Sequence, residues 1–292
     1  MNKRKIILSL VIAIVLLTVL VYPGNLVTAS VKGPYVPILI YHHFDPAISD
    51  FETMKPSDFE KQIAYLHKAG YHAITVSELA TFMSTGNGLP KKPIMITIDD
   101  GYESNYQYAY PVLKKYKMKA TIFVIAERIG KDKQKPPRLT WEQCKEMYDS
   151  GLVDIQSHTF DLHHKVKDGK GAKEPAALTR IKKADGKLET KEEYAARVHA
   201  DILKSKEVIE RNVGNTVTSI CYPFGAYNEE LLDIVKKAGF TTGFTTTSGV
   251  NTFKESPLQV QRILVGGHYR GKNLENAIRI AKGKDKMIAE RS

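Results

Sequence analysis

Pro93-Ile94-Met95-Ile96-Thr97-Ile98 is apolar at nearly every position and reads as a fully buried strand. It stops abruptly at Asp99-Asp100-Gly101. A buried strand ending in two carboxylates delivers them to an edge of its sheet. Neighbouring side chains on an extended chain point to opposite faces. Asp99 and Asp100 therefore cannot act as one symmetric pair, and two separate jobs are expected. Gly101 allows a sharp turn without steric penalty. A plainer reading competes, because Asp commonly caps a helix and a helical pattern begins near Ser104. One Asp can be used that way; two, followed by Gly, ask for more.

The rest of the chain alternates between the two periods. Strands are expected at 36–41, 72–76, 93–98, 120–125, 152–157, 218–222, 240–244 and 258–265. Helices are expected from Ser57 to near Gly70, then at 77–83, 105–116, 140–150, 191–212, 228–238 and 274–281. The first opens on Ser57-Asp58-Phe59-Glu60, which resembles a capping box. This α/β alternation favours a parallel sheet with helices outside. About seven strands fit a distorted, closed or nearly closed (β/α) barrel better than two domains, and in such barrels the chemistry sits at the carboxyl ends of the strands. No fixed-period repeat is visible, and no Gly-rich nucleotide fingerprint follows a strand.

Residues 1–29 have a different character. Lys3, Arg4 and Lys5 precede an apolar run from Ile6 to Val21, and Val27-Thr28-Ala29 offers small residues for cleavage before Ser30. This is the pattern of a secretory signal peptide. Retention as an N-terminal membrane anchor is the alternative, since the run is slightly short of the roughly 17–25 residues of a spanning helix. Both put the folded part, 36–292 after a linker at 30–35, outside the cytoplasmic membrane. The formal charge is +11, three of it in the leader. For an extracytoplasmic chain, an anionic cell wall or membrane surface is a better partner than nucleic acid. Lysines crowd 165–191, which reads as a solvated insertion. Cys144 and Cys221 lie on a predicted helix and a predicted strand; a disulfide is open to them, but two buried thiols are the favoured reading. Neither has zinc-site spacing. A monomer is expected.

Polar residues gather at the predicted strand ends: Tyr41-His42-His43, Asp99-Asp100, Ser157-His158-Thr159 followed by Asp161, His163 and His164, and Tyr222-Pro223-Phe224-Gly225. A barrel brings these segments to one rim. Catalytic zinc usually takes three protein ligands and leaves one position for water. Asp100, His158 and His163 can supply such a set, against the alternative of surface histidines on a polar loop. Arg262 can hold Asp99 ionised, or form only a strand-end salt bridge.

This constellation resembles the NodB-type polysaccharide deacetylases, carbohydrate esterase family four. Their first motif is similar to Thr97-Ile98-Asp99-Asp100-Gly101, which implies Asp99 as general base and Asp100 as metal ligand. Their second motif usually has two His four residues apart. Here the interval from His158 to His163 is five, which resembles one branch, the circularly permuted poly-β-1,6-N-acetylglucosamine N-deacetylases of biofilm systems. That branch carries its catalytic acid on an N-terminal strand like Ile38-Leu39-Ile40-Tyr41-His42, so the resemblance implies His42, with His268 as the other candidate. The third motif is similar to Tyr222-Pro223-Phe224-Gly225 and implies that the Phe224 N–H stabilises an oxyanion, with Tyr222 beside the substrate. His43 is expected to support, and His164 is a weaker ligand candidate than His163.

The implied activity is metal-dependent hydrolytic N-deacetylation of a cell-surface N-acetylglucosamine polymer, poly-β-1,6-N-acetylglucosamine of biofilm matrix, with release of acetate. Zinc fits the ligands, and cobalt or nickel fit almost as well. Peptidoglycan or chitin-oligomer deacetylation is a neighbouring possibility, and a non-catalytic wall-binding protein on the same fold is a separate class. A glycosidase needs carboxyls about 5–9 Å apart across a bond, for which adjacent strand residues are poorly placed. Tyr102, Trp141 and Tyr227 can stack on sugars, although packing is the commoner role of aromatics.

Overall fold

A computed structural model describes residues 33–50, 52–131, 135–269 and 271–289. The signal-peptide or anchor expectation falls on residues outside these. Among the described residues no helix is long and apolar enough to cross a membrane. In chain order the elements are β1 (Ile38–Tyr41), β2 (His43–Phe44), β3 (Thr53–Met54), α1 (Pro56–Lys68), β4 (His72–Ala73), α2 (Val76–Thr85) and β5 (Pro93–Asp100). A π-helical turn (Asn105–Ala109) then leads into α3 (Tyr110–Tyr116), β6 (Ala120–Val124), α4 (Trp141–Asp149) and β7 (Val153–Ser157). The remainder is β8 (Lys165–Lys167), β9 (Lys173–Pro175), α5 (Lys191–Val213), β10 (Ser219–Cys221), α6 (Glu229–Lys237), β11 (Thr242–Phe244), β12 (Ile263–Leu264) and α7 (Lys272–Ala289).

The main sheet runs β11-β10-β7-β6-β5-β1-β12, with β4 paired to the start of β5. Every pairing in it is parallel. This seven-strand path curls round, and its ends are linked by an isolated parallel bridge between Phe244 and Val260. The α/β barrel read from the alternation is thus present, distorted at one seam. The seam also explains why the last strand is much shorter than 258–265. Val260 donates to Gly243 and Arg262 to Thr247, so this segment follows β11 before it reaches β1 as β12.

β5 shows how the two faces are used. Ile94, Ile96 and Ile98 join the large cluster packed under the helices, whereas Met95 joins a smaller cluster with Phe123, Cys221, Phe244 and Val260. By strand alternation Met95, Thr97 and Asp99 share the inner face. Val76, Leu79, Phe82 and Met83 of α2 complete that inner cluster. α2, α4 and α5 each begin with a reciprocal capping box, Thr75 with Glu78, Thr140 with Gln143 and Thr190 with Glu193. α1 does not form the box expected at Ser57. Pro56 occupies its first turn, so Ser57 lies inside the helix, and Lys55 is the cap without a side-chain bond. Proline suits the first helical position because its φ is already helical and its missing N–H is not needed there.

The lysine-rich stretch is less detached than expected. Lys165, Lys167, Lys170 and Lys173 are exposed on and around an antiparallel hairpin, β8 with β9. Ala176 and Ala177, however, are buried. Tyr194 donates to the Ala177 carbonyl at 2.6 Å, and Arg197 pairs with Glu189 at 2.7 Å. Cys144 and Cys221 are both buried free thiols.

Candidate active site

The carboxyl ends of β1, β5, β7 and β10 carry the site. Asp99 is 2% exposed and meets Arg262 in a two-pronged pair, Nη1 to Oδ1 at 2.9 Å and Nη2 to Oδ2 at 2.8 Å. The guanidinium is fully buried, and each of its five N–H donors has an acceptor. Nε donates to the Thr245 carbonyl, Nη1 also to the Thr97 hydroxyl, and Nη2 also contacts the Cys221 sulfur at 3.0 Å. Burial works against the Asp99 charge, but the Arg262 guanidinium outweighs it and, with His158 and His42 nearby, holds the carboxyl well below the usual carboxylate range. Asp99 is thus a fixed carboxylate. His42 follows β1 and places Nε2 4.0 Å from Asp99 Oδ2.

Asp100 is the next residue and takes a different path. Its φ of +75° leaves the strand conformation, and Gly101 follows at +67°. Asp residues enter this left-handed region more readily than most. A Cβ at Gly101 would stand 3.0 Å from side-chain carbons of Ile129 and Val124, so glycine also answers a close approach there. Asp100 Oδ1 comes to 3.5 Å from both His158 Nε2 and His163 Nε2. The ligand atoms of Asp100, His158 and His163 all lie within 4.8 Å of one another.

His158 Nδ1 is 2.7 Å from the Cys221 carbonyl. A carbonyl only accepts, so Nδ1 carries the proton and the Nε2 lone pair faces Asp100. Burial pushes the His158 imidazole toward its neutral form, against the pull of Asp99 and Asp100. Burial and then His158 itself do the same to His163. Asp100 Oδ1 meanwhile is buried with no hydrogen-bond partner. Two imidazoles that burial holds toward their neutral form and an unpartnered carboxylate oxygen face one point. This donor set fits a divalent cation, with second-atom support of the kind that orients metal-bound histidines.

Other sequence-derived candidates fall around this centre. Phe224 has φ +60° and is 43% exposed, and its ring lies 4.6 Å from that of His163. Tyr222 is buried and its hydroxyl donates to the Leu258 carbonyl at 2.9 Å, which makes it a packing residue here. His43 contacts the Ser104 hydroxyl through Nδ1 at 2.9 Å and leans on the Tyr102 ring. His164 is exposed and bonds to the Asp161 carbonyl. His268 is exposed, with its ring against Tyr269. Trp141 is half-buried against the core, and Tyr227 packs on Tyr222.

Two contacts were not read from the sequence. Arg138 donates from Nη1 to the Asp100 carbonyl at 2.9 Å and lies 3.8 Å over the Tyr102 ring, and it comes from the loop before α4, where no period marks it. Cys221 contacts Asp99 Oδ2 at 3.4 Å; burial drives its thiol pKa upward, so it acts as a weak donor.

A profile described as Polysaccharide deacetylase matches residues 86–243, over half of the chain. The chain belongs to the polysaccharide deacetylase family. It is therefore a hydrolase of N-acetyl amides on polysaccharides. The matched span holds Asp99, Asp100, His158, His163 and Phe224; His42 comes from before it and Arg262 from after it. YxkH of Bacillus subtilis (strain 168) is 33% identical over 236 residues, 80% of this chain and 72% of that protein. The poly-beta-1,6-N-acetyl-D-glucosamine N-deacetylase of Staphylococcus aureus (strain MSSA476) is 30% identical over 214 residues, 73% of this deacetylase and 68% of that one. Among solved structures, a de-N-acetylase from Aggregatibacter actinomycetemcomitans superposes with a TM-score of 0.74 at 26% identity. That match covers 84% of this chain and all of the other.

Proposed function

We propose that this deacetylase removes acetyl groups from a cell-surface N-acetylglucosamine polymer, specifically poly-β-1,6-N-acetylglucosamine of a biofilm matrix. The observation that carries the reading is the unpartnered Asp100 Oδ1 facing two neutral imidazoles, beside a second carboxylate fixed by arginine. The polymer is inferred from the similarity to the staphylococcal enzyme. Asp100, His158 and His163 would hold a divalent cation, zinc by ligand type, with cobalt or nickel nearly as suitable. Such an ion supplies Lewis acidity, lowering the pKa of water and polarising a carbonyl.

The chain's own groups perform the proton transfers. Asp99, kept ionised by Arg262, takes the proton of the attacking water at Oδ2. Oxygen adds to the acetamide carbon, and the backbone N–H of Phe224 donates to the developing oxyanion. The C–N bond then breaks, and His42 Nε2, next to Asp99 Oδ2, protonates the departing amine. Acetate and a glucosamine unit result. The enzyme acts outside the cytoplasmic membrane as a monomer, and its basic surface keeps it near an anionic wall or membrane.

Acetate release from defined poly-β-1,6-N-acetylglucosamine, chitin and peptidoglycan fragments tests the proposal, with and without chelator. The expected outcome is fastest release from the β-1,6 polymer, loss on chelation and recovery with zinc. Equal rates on all three would remove the polymer assignment, and turnover untouched by chelator would remove the ion.

A further inference from the structure

We propose that Asp201, on the middle of α5, is a positioning residue that sets the geometry of the metal centre through the loop between its two histidines. The inference rests on the reading of Asp100, His158 and His163 as metal ligands. After His158 the chain turns back on itself, with Thr159 at φ +69°, a left-handed conformation costly for a β-branched residue. The turn points two successive backbone N–H groups at α5. Asp201 Oδ1 accepts from Phe160 and Oδ2 from Asp161, each at 2.9 Å. A carboxylate engaged by one N–H at each oxygen fixes both the position and the tilt of the loop. Charge-assisted bonds of this kind are about twice as strong as neutral ones.

Ser205, one helical turn further on and fully buried, adds a second grip on the same face. Its hydroxyl lies 2.7 Å from that of Ser157, which accepts from the Thr159 N–H at 3.1 Å. The Thr159 hydroxyl accepts from Leu162, and Arg128 donates to the His163 carbonyl at 2.9 Å. Every N–H from Thr159 to Leu162 therefore has an acceptor. Asp201 supplies two of the four, and they are the two lying midway between the histidines. His158 is fixed independently, by its strand and by the Cys221 carbonyl. His163 reaches the centre across this loop, so Asp201, together with Arg128 on the His163 carbonyl and the Ala126 and Glu127 N–H groups on the Thr159 and Phe160 carbonyls, sets where its Nε2 lies.

Asp201→Asn keeps the shape but turns an NH2 toward one of the two N–H donors, where nothing can accept. The test uses cobalt as a spectroscopic probe on the purified protein. Cobalt affinity is measured by competition with a chromophoric chelator, its visible absorption band is recorded, and thermal melting of the metal-free protein controls for folding. We expect Asp201→Asn to melt cooperatively, to bind cobalt about 10–100-fold more weakly, as loss of an outer partner typically does, and to show a shifted band. A folded variant with unchanged affinity and band would overturn the proposal. Should Asp201→Asn not fold, Asp201→Glu, which keeps the charge and both acceptor oxygens but shifts them by one methylene, carries the same test, a weaker affinity or shifted band supporting the proposal and an unaltered affinity and band overturning it. Failure of the metal reading looks different. Wild-type protein would then not bind cobalt, or His163→Ala would bind it equally well.

Discussion

Arg262 and Asp99 are both shut away from water, and each is the other's only full counter-charge among the described contacts. Removing one member of a buried pair typically costs about 3–5 kcal/mol, because the other is left uncompensated. If Asp99 is the base, as proposed, stability and catalysis are entangled there, and metal content has to be read alongside rate. Asp99→Asn, which keeps an acceptor oxygen for one arginine N–H, should lower acetate release by at least about 10²–10⁴-fold, the usual contribution of a general base. The variant should still bind zinc, measured by elemental analysis; lost zinc would mean that the two aspartates have been given the wrong tasks. The acid is separable in the same way. His42 stands 4.0 Å from Asp99 whereas His268 packs outside on Tyr269. His42→Ala should therefore depress turnover far more than His268→Ala, and the opposite order would transfer the role.

At the level of the element, the turn after β10 holds Phe224 and Gly225 at φ +60° and +67° in succession. Phe224 tolerates that strain, which is of order 1–3 kcal/mol for a non-glycine residue. Gly225 has a second constraint, since an added Cβ would run into the side chain and backbone of Thr246. Gly214, which ends α5 at φ +82°, has nothing within 4 Å of its virtual Cβ. Gly214→Ala should thus cost only the conformational strain, about 1–2 kcal/mol. Gly225→Ala should cost clearly more in urea unfolding and should also impair turnover. Equal losses at the two sites would mean that the turn relaxes freely and that its packing against Thr246 does not shape the rim.

For the whole molecule, the site creates a dependence on acidity. Burial lowers the pKa of both His158 and His163, so the metal-free fold holds them neutral. The unfolded chain binds protons at about pH 6.5, before the folded chain does. Stability from these groups is present above that pH and is lost as pH falls through the window down to their lower folded values. Asp99 acts in the same direction but later, because its depressed pKa matters only below about pH 4. The melting temperature of metal-free protein should accordingly fall between pH 7.5 and 5.5. The fall should be blunted in a His158→Gln/His163→Gln variant. A flat wild-type profile would show that neither ring is held neutral by the fold.

The order of strands and helices and the separate placement of Asp99 and Asp100 were legible in the sequence. They follow from periods of two and 3.6 residues and from caps that act across three positions. Thr140 and Asn228 announce their helices in this way; at Ser57 a neighbouring proline overrode the same signal. Arg262 beside Asp99 across 163 positions and His42 rather than His268 near it were expected from strand-end position and resemblance, not from any local period; Tyr222 turned into the core and Asp201 gripping a loop 40 residues away had no marker of their own. Only Ser205 left a trace, as a polar residue in the buried stripe Tyr194, Val198, Ile202, Ile209, Val213. Local periodicity decides what each segment becomes. Which side chains meet is decided by strand order and by how the sheet closes on itself, and those emerge only when every segment packs at once.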